Sequence, residues 1–236
     1  MLCPRFTRLA ALCASLAAGM LVMALPPRGD ASADPPRAGG SHAGPKCVKQ
    51  KPQRFLIRSN YLPHPRLHER SLRYRVEEYG HLDGIGPSGV NPHPVTYYLE
   101  HTTFLGLPIQ VNRRITPAMR CVEAELARSC RRSPYTAKAI GGYRDYNSYR
   151  HGEVTNHLFG IAIDIDPQDN PCCGCVDPWP DNPRCKGHAS SIYQRMAMPE
   201  CWVKVFEKYG FYWLGHDQLQ DTMHYEFLGN PDRLGR

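Results

Sequence analysis

Alternation of apolar and polar residues predicts two short strands in the second half of the chain. Along 161–166 an isoleucine occupies every second position, and Asp164 lies on the opposite face. Along 223–227 apolar residues again occupy every second position, while His224 and Glu226 share the other face. Each predicted strand therefore presents one apolar face and one face that carries ionisable side chains.

Other segments predict the elements that would pack around these two strands. Thr116 at an N-cap, followed by Pro117, indicates a helix that ends near Cys130. A second helix is predicted over 199–209 and is closed by Gly210. Segments rich in β-branched and aromatic residues predict three more strands: 95–99, 107–111 and 138–143. Together these elements predict an α+β fold, a small antiparallel sheet with packed helices.

The N-terminal region lacks these patterns and has the profile of an export signal. Arg5 and Arg8 precede an uncharged apolar run over 9–25, and a small-residue cleavage site follows at 31–33. These features predict a signal peptide over 1–33 and an exported protein, periplasmic or extracellular. An uncleaved membrane anchor is the alternative, although the apolar run is short for a membrane span.

Composition divides the rest of the chain into three parts. Residues 34–54 are rich in Pro, Gly, Ser and Lys and predict a flexible linker, because they hold too few apolar side chains to form a core. Residues 55–94 form an N-terminal extension of unclear structure, and 95–236 form the main domain. The three parts make one domain with an extension, which suits a chain of this length.

Positive charge is concentrated near the N-terminus. The chain carries a formal charge of +7, and residues 34–80 hold ten Lys or Arg against four Asp or Glu. This surplus predicts electrostatic contact with an anionic cell envelope, and a solvated tail is the alternative. Nucleic acid is not an expected partner, because the sequence shows no nucleic-acid-binding motif.

Cysteine usage favours disulfide bonds over a second metal site. Eight of the ten cysteines follow residue 33, and an even number in an exported chain predicts disulfide-stapled loops. A thiolate metal site at 172–175 with Cys185 is the alternative. The spacing does not determine which cysteines pair.

Two clusters of polar residues could form one metal site. His157 precedes Asp164 by seven residues, and Gly160 between them could bend the chain so that the two side chains meet. With His224 they supply two imidazoles and one carboxylate, a sufficient set for a catalytic zinc with an open position. Asp221, three residues before His224, could act as a general base.

At these positions the chain resembles the D-alanyl-D-alanine carboxypeptidase and L-alanyl-D-glutamate endopeptidase family of zinc peptidases, which has a Hedgehog-like fold. The matching residues fall in two motifs: His157, Gly160, Ala162 and Asp164, then Asp221, His224 and Tyr225. The sequence departs from the family at Thr155, where Ser is usual, and in the loop at 213–217. The loop difference concerns substrate specificity, and its His216 and Asp217 are outside candidates for substrate contact.

The resemblance implies a zinc peptidase domain over 95–236. It implies that His157, Asp164 and His224 bind Zn²⁺ and that Asp221 is the catalytic base. Arg144, in a Tyr-Arg pair that the family shares, would neutralise an oxyanion or hold a substrate carboxylate. The substrates of the protein would be peptidoglycan peptides, and we expect a monomer.

The sequence leaves two alternative functions and the identity of the cleaved bond open. A non-catalytic, zinc-containing wall-binding module of the same fold is an alternative to an enzyme. A non-haem iron oxygenase also uses two His and one carboxylate, but its usual His-x-Asp or His-x-Glu spacing is missing here. The sequence does not determine which peptidoglycan bond would be cut.

In an enzyme, Glu226 could orient His224 through its second ring nitrogen.

Overall fold

The computed structural model describes residues 47–149, 153–175 and 179–234, all within one compact unit. The predicted signal peptide and residues 34–46 of the predicted linker lie outside these ranges. Within them, no helix is both long enough and apolar enough to cross a membrane.

Helices and short strands alternate along the described chain. The helices are α1 (Arg58–Tyr61), α2 (Pro65–Tyr79), α3 (Val95–Tyr98), α4 (Thr116–Ser129) and α5 (Glu200–Lys208). The strands are β1 (Leu99–Phe104), β2 (Leu107–Asn112), β3 (Ile140–Gly141), β4 (Ala162–Ile165), β5 (Phe211–Trp213) and β6 (His224–Phe227). Strands β1 and β2 form an antiparallel hairpin, and an antiparallel sheet has the order β3-β4-β6-β5. The predicted α+β class is confirmed.

The helices at 116 and 199 form close to where the sequence places them. Helix α4 begins at Thr116 with Pro117 in its first turn, and Ile115 rather than Thr116 is the N-cap residue. It ends at Ser129, one residue before Cys130. Helix α5 ends just before Gly210, whose φ of +91° favours glycine.

The strand predicted at 95–99 is wrong over most of its length, because Val95–Tyr98 form a helical turn and the strand begins at Leu99. The backbone N–H of Tyr97 donates to the carbonyl of Pro94, and its ring stacks on His93 with centroids 3.9 Å apart. These contacts outweigh the β propensity of the segment, since such propensity depends on context.

The strand predicted at 138–143 is reduced to Ile140–Gly141. The backbone N–H groups of Lys138 and Ala139 donate to the carboxylate of Asp166. After Gly141 the chain leaves β4, and Tyr143 N–H donates to the carbonyl of Gln110 in β2. A side chain and a different strand therefore take the hydrogen bonds that a longer strand would use.

The sheet register places the ionisable residues on one face. Asp164 of β4 pairs with His224 of β6, and Ala162 pairs with Glu226. On the opposite face, Tyr225 stacks on Phe206 of α5 at 4.0 Å. Apolar packing on that face holds β4 and β6 in register, so it also fixes the positions of the polar side chains.

The described cysteines form disulfides, which confirms the disulfide prediction. Two bridges join distant parts of the chain, and two close a loop after β4. The pairs are Cys47–Cys121, Cys130–Cys201, Cys172–Cys175 and Cys173–Cys185. The loop sulfurs are therefore not free thiolates, and the alternative thiolate metal site is wrong.

Candidate metal centre

A tight bend brings His157 beside Asp164. His157 lies in a 3-10 turn, Asn156–Phe159, whose N-cap Thr155 accepts a hydrogen bond from the His157 backbone N–H at 3.4 Å. Gly160 then turns the chain with a φ of +66°, a region that favours glycine. A Cβ atom at Gly160 would also lie 2.8 Å from the backbone nitrogen of Asn112. The predicted bend at Gly160 is present, and only glycine fits there.

His157, Asp164 and His224 converge in the protein interior. Their ligand atoms all lie within 4.8 Å of one another, and all three residues are buried. The carboxylate of Asp164 lies 3.1 Å from Nε2 of His157 and 2.8 Å from Nδ1 of His224. The two ring nitrogens are 3.2 Å apart. This donor set suits a metal ion that binds imidazole nitrogen and carboxylate oxygen.

The outer ring nitrogens of both histidines are also engaged. Nδ1 of His157 lies 2.5 Å from the carbonyl oxygen of Gly142, to which it can donate its proton. Nε2 of His224 lies 3.1 Å from Oε1 of Glu226. Protons on these outer nitrogens leave the inner nitrogens with free lone pairs, as metal ligation requires. The contact predicted between Glu226 and His224 is therefore present.

Burial and charge affect the two histidines differently. Burial lowers the pKa of His157, and the attraction of Asp164 does not offset it. Burial also acts to lower the pKa of His224, but Asp164 and Glu226 outweigh it and raise that pKa to about 10. For Asp164, burial opposes ionisation, yet the two imidazoles hold its pKa well below the usual range. At neutral pH, metal-free protein therefore carries a neutral His157 and a protonated His224.

A cavity of about 630 Å³ opens onto this triad. Arg144 lines it, donates from Nη2 to Oδ2 of Asp164 at 2.6 Å, and keeps 29% of its side chain exposed. Asp221 also lines it, and its Oδ1 is buried with no hydrogen-bond partner among the described residues. Burial raises the pKa of Asp221 to about 7. The structure thus brings Arg144 and Asp221 to the same cavity as the triad.

Two candidates for substrate contact do not line this cavity. Nε2 of His216 lies 3.0 Å from Oε1 of Glu207. Asp217 is buried and accepts hydrogen bonds from Arg58 Nη1 and from Leu219 N–H. His216 pairs with helix α5 and Asp217 holds a loop, so neither contacts the cavity directly.

The cavity wall also includes residues that the sequence did not suggest: Arg58, Tyr149, Glu153 and Trp179. They come from three separate parts of the chain, and none lies in a regular pattern around the metal motifs. The only available signal is the aromatic or ionisable character of each residue, which many surface positions share.

The comparison with known families covers the part of the chain that carries the triad. Residues 150–227 match the model of a family described as D-alanyl-D-alanine carboxypeptidase. No curated protein and no solved structure matches the chain significantly. The matched segment contains His157, Asp164, Asp221 and His224, and it begins after Arg144. The resemblance inferred from the two motifs is confirmed over this segment, which is similar to D-alanyl-D-alanine carboxypeptidases.

Proposed function

We propose that the protein is an exported zinc peptidase that hydrolyses peptide bonds in peptidoglycan stem peptides. It would act as a D,D-carboxypeptidase or as an L,D-endopeptidase. The observation that carries this proposal is the convergence of His157, Asp164 and His224 in a cavity that also contains Asp221 and Arg144. The family match supports a peptidase, and the disulfides together with the N-terminal signal pattern support export.

The metal would be held by Nε2 of His157, Nδ1 of His224 and the carboxylate of Asp164. Three protein ligands leave a position for water, and bound zinc lowers the pKa of such a water to roughly 7. Gly142 and Glu226 would orient the two imidazoles from behind.

Asp221 is the proposed general base. Its unpartnered Oδ1 and its raised pKa suit a carboxylate that gains and loses a proton near neutral pH. It would take a proton from the attacking water while the water oxygen bonds to the peptide carbon. It would then deliver that proton to the leaving amine nitrogen as the C–N bond breaks.

Arg144 is proposed to stabilise negative charge on the substrate. One of its nitrogens donates to Asp164, and the exposed remainder of the guanidinium faces the cavity. These donors, which have no partner among the described residues, could bond the oxyanion that forms at the peptide carbonyl, or the terminal carboxylate of a stem peptide.

A non-catalytic wall-binding module with the same zinc site is the alternative. Such a module needs neither a base nor a charge-stabilising arginine beside the metal. The presence of both Asp221 and Arg144 at the cavity favours an enzyme. In either case, the basic residues of 34–80 would contact the anionic envelope, and the protein would act as a monomer.

The proposal is tested by digesting purified peptidoglycan with the zinc-loaded protein and analysing the muropeptides by mass spectrometry. Loss of terminal D-Ala would indicate a carboxypeptidase, and cleaved stem peptides would indicate an endopeptidase. Asp221→Asn should bind zinc but release product 10²- to 10⁴-fold more slowly, a range of about the size that general acid–base catalysis contributes. The enzyme proposal fails if the zinc-loaded wild type releases nothing and does not differ from Asp221→Asn.

A further inference from the structure

Arg58 of helix α1 reaches the cavity from outside the family-matched segment. Its Nε and Nη2 donate to the carboxylate of Glu153 at 2.7 and 2.9 Å, and its Nη1 donates to Oδ1 of Asp217 at 2.8 Å. All three guanidinium nitrogens are therefore used. The side chain is 14% exposed, and that of Asp217 is only 1% exposed. This ion pair is thus largely shielded from solvent, and removing one partner would leave a buried charge uncompensated.

The two carboxylates belong to the two segments that lead into the proposed catalytic residues. Glu153 lies four residues before His157, and Asp217 lies four residues before Asp221. The carboxylate of Asp217 also accepts from the backbone N–H of Leu219 at 3.1 Å, so it is fixed to its own loop. Arg58 is thus a bridge between the metal-ligand segment and the segment that carries the base.

The chemistry of the bridge requires arginine. A planar guanidinium can bond one carboxylate with two nitrogens and a second carboxylate with the third. A lysine ammonium is a point charge without this fork, so it cannot reproduce the three contacts. Without any cation, the buried carboxylate of Asp217 loses its ionic partner and the loop must rearrange.

We infer that Arg58 is a positioning residue that holds Asp221 at its working distance from the metal triad by bridging Glu153 and Asp217. The inference rests on the proposed function for its effect on turnover, but its effect on the loop is independent of that function.

Arg114 offers a matched control for this role. It also bridges two carboxylates, with Nη2 lying 2.7 Å from both Glu78 and Asp232. It is likewise partly buried, and it does not line the cavity of the triad. Because the Asp232 side chain is 68% exposed, loss of the Arg114 charge shows the cost of breaking a more exposed double ion pair, without affecting Asp221.

The experiment compares Arg58→Gln, Arg58→Lys and Arg114→Gln in the zinc-loaded full chain. Arg58→Gln should keep stoichiometric zinc and a KM within threefold of wild type, while kcat falls 10- to 100-fold, a loss typical of a catalytic group displaced by about 1 Å. Amide hydrogen exchange over 217–222 should speed up in the same variant. Arg58→Lys should recover little of either property, and Arg114→Gln should match wild type in both.

The outcomes separate this inference from the proposed function. If Arg58→Gln does not fold, Asp217→Asn replaces it, because the amide keeps an acceptor for Leu219 N–H and removes the negative charge that pairs with Arg58. Wild-type kcat and wild-type amide exchange in Arg58→Gln, or in its replacement Asp217→Asn, would overturn the role of Arg58. Equal changes in Arg114→Gln would overturn it as well. If wild type releases no product, the peptidase proposal fails, and exchange over 217–222 alone decides whether Arg58 holds the loop.

Discussion

Two walls of the cavity carry the proposed metal ligands and the proposed base, and different interactions hold each in place. The sheet wall consists of β4, β6 and the turn at 156–160, and its side chains are buried in the core. The cross-linked wall consists of segments 171–175 and 217–222, which form no regular strand. There the backbones of Cys172 and Asp221 form an isolated antiparallel β-bridge, and Gly174 N–H donates to the carbonyl of Leu219 at 2.6 Å.

The difference separates metal binding from turnover. Core packing and strand register place the proposed metal ligands, so they depend on the stability of the whole fold. Disulfides, a few backbone hydrogen bonds and the Arg58 ion pair place the proposed base. Changes in the cross-linked wall should therefore reduce turnover while zinc remains bound, whereas changes in the sheet wall should remove the zinc.

The largest effect is expected from His224→Ala and His157→Ala. Each removes one of three proposed ligands, so each variant should lose stoichiometric zinc and all detectable hydrolysis. Metal analysis after dialysis measures the zinc, and muropeptide release measures the hydrolysis. His216→Ala is the control, because among the described residues this partly exposed histidine contacts Glu207 and the rings of Tyr212 and Trp213, which lie outside the triad. Stoichiometric zinc in both ligand variants would refute the ligand assignment.

In the cross-linked wall, the double variant Cys172→Ser, Cys175→Ser should keep zinc and lose activity. The segment that pairs with Asp221 is then less constrained, and kcat should fall about 10-fold or more. Global stability should change little, because a loop closed over so few residues restricts the unfolded chain only weakly.

The bridge between Cys130 and Cys201 provides the contrast. It closes a loop with a sequence separation of 71, so its removal should cost about 4 kcal/mol of unfolding free energy. It lies outside the cavity, and kcat of the folded variant should stay at the wild-type value. Equal kcat in the two double variants would contradict the separation of the walls.

A smaller effect is expected from Glu226→Gln in the sheet wall. The variant keeps a side chain of the same size but loses the charge behind His224. Removing such a partner typically weakens metal binding 10- to 100-fold. Competition with a chelator measures the affinity, and an unchanged value would show that Glu226 does not support the metal.

The smallest effect is expected from a change of one pH unit. In metal-free protein the pKa of His224 is raised to about 10, whereas that of His157 is lowered. Between pH 9 and 7, where His157 is neutral, the metal must therefore displace one proton, from His224, and binding weakens as pH falls. The apparent zinc affinity should drop roughly tenfold per pH unit, as followed by chelator competition. An affinity that does not change with pH would contradict a protonated His224.

The sequence predicts the sheet wall well because its information is local. Alternation places Asp164, His224 and Glu226 on inner faces, and Gly160 signals the bend that returns His157. Each of these signals lies within a few residues of the side chain it positions. Strand pairing then joins the two motifs, as the structure shows.

The cross-linked wall could not be predicted in the same way. Arg58 and Asp217 are 159 residues apart, and no periodicity connects an N-terminal helix to a C-terminal loop. Cysteine spacing likewise leaves the pairing of Cys172 with Cys175 open. Helix α2 also escaped prediction, since its buried face includes the charged Arg75, which donates to the carbonyl of Val154.

The proposed zinc site is tested most directly by zinc K-edge X-ray absorption on the zinc-loaded protein. We expect only nitrogen and oxygen ligands, at roughly 2.0–2.2 Å, with an imidazole signature that weakens in His224→Ala. A sulfur shell at about 2.3 Å would place the metal on cysteines instead and would contradict the triad of His157, Asp164 and His224.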